Sequence, residues 1–95
     1  MRRYEVMYII RPDLEQDATK DLVEKFQNLI TNKGGEIEKL EDIGKRRLAY
    51  EIEDYNEGYY VQINFQAETA AVEELERVLR ITDGVIRYLI VKDEK

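Results

Sequence analysis

Ninety-five residues leave room for one domain of ordinary size and not for two. Hydrophobic residues make up 43% and charged residues 38%, enough for one core beneath a heavily solvated surface, which excludes a wholly disordered chain. Fifteen Lys and Arg against 21 Asp and Glu give a net charge of −6, which excludes a globally basic nucleic-acid coat but not a local basic patch, and the lack of Cys and His excludes thiol chemistry, thiolate zinc sites and the usual general base.

The chain opens on a basic stretch, but the apolar run from Val6 to Ile10 is too short for a signal-peptide core. No stretch approaches the roughly 20 apolar residues of a membrane span, so a cytoplasmic protein is expected. Tyr4, Val6, Tyr8 and Ile10 alternate with Arg3, Glu5, Met7 and Ile9, the period of a strand with one apolar and one mixed face. Pro12, which has no ladder donor, ends it. From about Glu15 to Lys33 the period becomes helical, with Ala18, Leu22, Phe26, Leu29 and Ile30 on one stripe and Asp17 or a neighbour as cap. Gly34 and Gly35 stop that helix.

A long extended stretch follows, from Glu36 to about Ile52, and its alternation slips. Ile37 and Ile43 fall on one phase; Leu40, Leu48, Tyr50 and Ile52 fall on the other. The slip predicts a bulge involving Gly44. Asp54 to Gly58 is the predicted turn into a third strand carrying Tyr59, Val61, Ile63 and Phe65 on its core phase. A second helix is predicted over 69–81, with Val72, Leu75 and Leu79 as its stripe and Val78 beside it. The fourth strand, Val85 to Val91, puts Ile86, Tyr88 and Ile90 on one phase and Arg87, Leu89 and Val91 on the other. The order βαββαβ predicts one α+β, ferredoxin-like domain over residues 1–95. A four-stranded antiparallel sheet carries two right-handed crossover helices on one face and leaves the other face open.

The sharpest charge segregation is Lys45-Arg46-Arg47, flanked on both sides by acidic residues. It reads either as a solubilised hairpin edge or as a phosphate-binding patch. Arg2, Arg3, Arg87 and Lys92 are further candidates for that patch, with Arg3 and Arg87 on the open face. Arg80 reads as a cation at a helix C-terminus. Tyr4, Tyr8, Tyr50, Tyr59 and Tyr88 fall on core phases; Tyr60 falls on the open one. The topology is that of the RNA recognition motif, but residues 57–64 lack its basic and aromatic pattern, so that site is rejected. Met7, Ile9, Leu89 and Val91 gather apolar side chains on the open face, with Tyr60 at their rim, and this points to a protein partner. Acidic pairs such as Glu73-Glu74 diverge in direction, so no metal site, cofactor or catalytic group is implied.

Three segments carry a resemblance. Met1-Arg2-Arg3-Tyr4-Glu5-Val6, Gly44-Lys45-Arg46-Arg47-Leu48-Ala49-Tyr50 and Arg80-Ile81-Thr82-Asp83-Gly84-Val85-Ile86-Arg87 together resemble the bacterial small-subunit ribosomal protein six family, in the same order along the whole chain. The resemblance implies a ferredoxin-like fold without catalytic activity. It also implies binding to the central domain of small-subunit ribosomal RNA, as a heterodimer with the eighteenth small-subunit ribosomal protein. It assigns RNA contact to Arg2, Arg3, Lys45, Arg46, Arg47, Arg87 and Lys92. The apolar open-face residues are then expected to meet the partner. One departure is Glu51, where many members have proline. Two rival readings stay open: a ligand-sensing regulatory domain that dimerises through its sheet, and an enzyme of the acylphosphatase type. The loop Arg11-Pro12-Asp13-Leu14, followed by acidic residues, is poorly suited to cradle the anion that such an enzyme requires.

Overall fold

Two-residue alternation and the 3.6-residue apolar period divide this chain between strands and helices, and the computed structural model, which describes residues 1–93, follows that division. The elements are β1 (Arg2–Ile10), α1 (Gln16–Asn32), β2 (Glu36–Ile52), β3 (Tyr55–Ala67), α2 (Thr69–Ile81) and β4 (Val85–Lys92). The strands form one antiparallel sheet in the order β2-β3-β1-β4. The fold is ferredoxin-like, with both helices against one face.

The core lies between that face and the helices. Val6, Tyr8 and Ile10 of β1 and Val61, Ile63 and Phe65 of β3 meet Phe26 and Ile30 of α1 and Leu75 and Leu79 of α2, all buried. Each such side chain contributes about 1.5–3 kcal/mol by leaving water. Tyr8 packs edge-on against Phe26 with centroids 5.0 Å apart, and Tyr4 stacks on Phe65 at 5.8 Å. Thr19 and Ala71 are buried as well, each one step round its helix from the expected Ala18 and Val72. The stripe is set by what each helix packs on; in α2 the small Ala71 takes the buried place, while in α1 the larger Thr19 displaces Ala18. Glu15, a neighbour of Asp17, occupies the cap position of α1, and no side-chain hydrogen bond caps the helix. It ends with the Gly35 amide donating to the Ile30 carbonyl at 2.9 Å.

The β2–β3 hairpin departs most from a flat ladder. Its register shifts at Ile37/Lys39, at Asp42/Gly44 and between Arg47 and Ile52. Gly44 has φ +89°, so the expected bulge is present and needs a residue without Cβ. The turn differs from the expected Asp54–Gly58. Glu53 and Asp54 form it alone, at φ 48° and 70°, and Tyr55 to Gly58 already belong to β3. A type I′ hairpin turn demands positive φ at both central positions, and an acidic pair meets the demand here in place of glycine.

Beyond Gly44 the hairpin curls over the face opposite the helices. Leu48 is 7% exposed and Ile9 is 8% exposed, although Ile9 lies on the non-helix phase of β1. A Cβ built on Gly58 meets the Ile9 Cγ2 and, at 3.5 Å, the Leu48 Cδ2, so both side chains close over that glycine. Ile9 is therefore a buried residue and not the exposed patch member expected. Tyr50, expected in the core, is 60% exposed. The bulge reverses the phase of the strand, and the later irregularity releases Tyr50 from the ladder altogether.

Candidate nucleic-acid interface

Antiparallel register places the expected site residues in rows across the sheet. At one end Arg3 lies opposite Gln66 and Tyr4 opposite Lys92, and the Asp93 amide donates to the Arg3 carbonyl at 2.9 Å. At the other end Lys45 lies opposite Tyr59, Arg46 opposite Gly58 and Arg47 opposite Glu57. Arg87 sits across Ile9, which faces Tyr60, which faces Gly44. Seven residue steps along β3 separate the partner of Arg3 from that of Lys45, roughly 23 Å of strand. The seven expected RNA-contacting cations thus form two groups: Arg2, Arg3 and Lys92 at one end, Lys45, Arg46, Arg47 and Arg87 at the other.

Within each group, strand alternation divides neighbours between faces. Arg2 follows the helix-side phase of Tyr4, whereas Arg3 follows the open phase of Glu5. Lys45 lines a cleft of about 610 Å³ against α1, together with Asp42, Tyr59 and Thr19. Arg46, one residue on, lies on the opposite face with Leu48 and donates to the Lys45 carbonyl at 2.8 Å. The Tyr59 hydroxyl donates to Asp42 Oδ1. That hydrogen bond, then burial, then the Asp42 charge push the hydroxyl up to about 12. Behind it the Tyr8 hydroxyl is buried without a partner, and burial raises its pKa further.

The electrostatic state of the cations differs from residue to residue. Arg3 Nε approaches Glu38 at 3.5 Å, and Arg11 forms a two-toothed pair with Asp13 at 2.7 and 2.9 Å. Among the described residues, Arg2, Lys45, Arg46, Arg47 and Arg87 make no ion pair. Arg87 instead holds an aromatic ring. Its Nη1 donates to the Tyr50 hydroxyl, and its guanidinium carbon lies 5.7 Å from the ring centroid. The sequence pattern does not mark Tyr50 as a site residue, because Leu48 and Ile52 share its phase. The exposed Arg46 heads the same phase, but the exposed Arg2 heads the core phase of β1 in the same way, so alternation alone does not single Tyr50 out.

The open face carries an apolar strip narrower than expected. Leu89 is 62% exposed and Val91 47% exposed. Met7, across from Leu89, and Tyr60 are partly covered, and Ile9 is sealed beneath Leu48. Glu5, Gln62 and Asn64 border the strip. Among the described residues no acidic cluster is placed to hold a metal ion, and no helix is long and apolar enough to cross a membrane. The arrangement offers cations for anionic polymer, one presented aromatic ring, and a modest apolar surface.

Comparison with known proteins gives a consistent result. Residues 3–92 match the family model described as ribosomal protein S6. The small ribosomal subunit protein bS6 of Halalkalibacterium halodurans is 55% identical over 95 residues, the whole of both chains. That of Desulforudis audaxviator is 55% identical over 94 residues, covering 99% of this chain and all of the other. The crystal structure of 30S ribosomal protein S6 from Thermotoga maritima superposes with a TM-score of 0.93 at 36% identity, covering 97% of this chain and 87% of the other.

Proposed function

The chain belongs to the ribosomal protein S6 family and is a structural constituent of the small ribosomal subunit, and on that premise we propose that it works as a single cytoplasmic domain that binds the central domain of small-subunit ribosomal RNA together with the eighteenth small-subunit ribosomal protein. The observation that carries this reading is the state of Lys45, Arg46 and Arg47. All three are exposed and free of ion pairs among the described residues, in a chain where 21 acidic side chains are available to neutralise them. Cations kept solvated and unpaired are ready to displace counterions from a phosphate backbone.

The partner takes the open face. RNA rewards charge, whereas Met7, Leu89, Val91 and Tyr60 reward another apolar surface. Ile9 supports this strip from below without reaching the partner. A basic partner seated there offsets the repulsion between an acidic chain and RNA, so the two proteins bind cooperatively. The test is a filter-binding titration of a central-domain RNA fragment at several salt concentrations, with the partner present. Replacing Lys45, Arg46 and Arg47 by Ala should weaken binding and reduce the salt slope by about 2 to 3. An unchanged slope removes the hairpin from the RNA site. Leu89→Asp should abolish pairing with the partner in the absence of RNA, and wild-type pairing would place the partner elsewhere.

A further inference from the structure

We propose that Tyr50 and the recess beside it form a pocket for one unpaired base of the RNA, an inference that rests on the RNA-binding reading above. Tyr50 is a large aromatic residue left 60% exposed at the curled end of the hairpin. It is also fixed in place: Arg87 Nη1 donates to its hydroxyl from β4, on the far side of the sheet. The grip falls on the hydroxyl rim, with the guanidinium carbon 5.7 Å from the centroid, and the ring remains open to solvent. An exposed side chain anchored at its tip has little freedom left to lose when a flat ligand stacks on it.

The recess holds about 230 Å³ and is lined by Tyr50, Arg47, Asn56 and Glu51, with Leu48 at its floor. Each wall supplies a part that an extruded nucleotide requires. Tyr50 offers a stacking surface, which every base accepts. Asn56 carries an amide with both donor and acceptor, and Glu51 an acceptor for an exocyclic amine, so the base edge has polar partners. Arg47, exposed and without an ion pair among the described residues, stands at the mouth for the phosphate. Double-stranded RNA cannot enter, because its bases are stacked on each other; a bulged, looped or junction base can.

The experiment measures affinity and salt slope for a central-domain RNA fragment with the full chain and its partner protein. Tyr50→Leu should bind roughly tenfold more weakly with the wild-type salt slope, since a stacking surface is lost and no cation is. Tyr50→Phe keeps the ring and should stay within about twofold of wild type. Arg47→Ala should lower the slope by about 1. Asn56→Ala, at an exposed position, should weaken binding several-fold and decides the matter alone if Tyr50→Leu lowers the melting temperature. Affinity for the partner without RNA should be the same in all four variants. Wild-type RNA affinity in folded Tyr50→Leu overturns the base pocket while leaving the RNA reading intact. A parallel loss of affinity for the partner alone overturns it too, by making Tyr50 a protein contact. No binding by the wild-type pair overturns both readings.

Discussion

Gly58 is the point on which the curled hairpin rests. Its missing side chain lets Ile9 of β1 and Leu48 of β2 close over the β3 backbone. Gly58→Ala drives a methyl into Ile9, a β-branched side chain with few rotamers to retreat to. The substitution should cost about 1–3 kcal/mol in urea-induced unfolding, as overpacking does, and should loosen the hairpin. An unchanged midpoint and slope would show that Leu48 and Ile9 part without penalty. Tyr59 makes a second prediction at this scale. Its hydroxyl is held up at about 12 by the bond to Asp42, against about 10 in an unfolded chain. Between those values the unfolded state has lost the proton and the folded state retains it. The stabilisation is therefore complete below pH 10 and declines as pH rises toward 12. Tyr8, shifted the same way by burial, adds to the fall. Urea midpoints taken from pH 9 to 11.5 should drop, and less steeply in Tyr59→Phe. Equal slopes in the two proteins would remove Tyr59 from the effect.

Among the elements, both helices begin without help. Glu15 and Glu68 occupy the cap positions in extended conformation, and neither side chain bonds to the first-turn amides. The backbone at Glu15 is already in the geometry a cap requires, with φ −68° and ψ 157°. Glu15→Ser should raise stability by about 0.5–1 kcal/mol, measured as an upward shift of the thermal midpoint; no shift would mean that water already satisfies those amides. The elements themselves were readable because period and punctuation agreed. The second helix was bounded correctly at 69–81, and the phase slip around Gly44 revealed a bulge. The hairpin end was not readable. A two-residue period reports that neighbours face apart, but not which way the ribbon turns after two irregularities. Leu48 and Tyr50 were placed together in the core by pattern. In the fold Leu48 covers Ile9 on the opposite face, and Tyr50 is left exposed against Arg87. The turn was misplaced for a related reason, since Glu53 and Asp54 adopt a conformation that the eye looks for at glycine.

For the molecule as a whole, the proposed RNA binding turns on how its cations are divided. The candidate site was legible as a set of residue types but not as a shape. The sequence predicts one patch from Arg2, Arg3 and Lys45 to Arg47, and register sets the two groups apart along β3. On the proposed RNA they act as two separate footholds. Replacing Arg2 and Arg3 by Ala should therefore cost affinity comparable to that lost on replacing Lys45, Arg46 and Arg47. Doing both should cost about the product of the two, because sites this far apart contribute independently. A clear departure from multiplicativity in a titration series would argue for one continuous, coupled strip. The sheet that joins the footholds is four strands wide and stiff. A flexible tether adapts to whatever separation its targets present, whereas a stiff spacer accepts one. RNA segments held at the matching distance receive the full avidity of two contacts; segments too near or too far receive one. On the proposed function the fold is thus a gauge: RNA already bent to its length would be preferred, and tertiary structure in the nucleic acid would become a condition of tight binding.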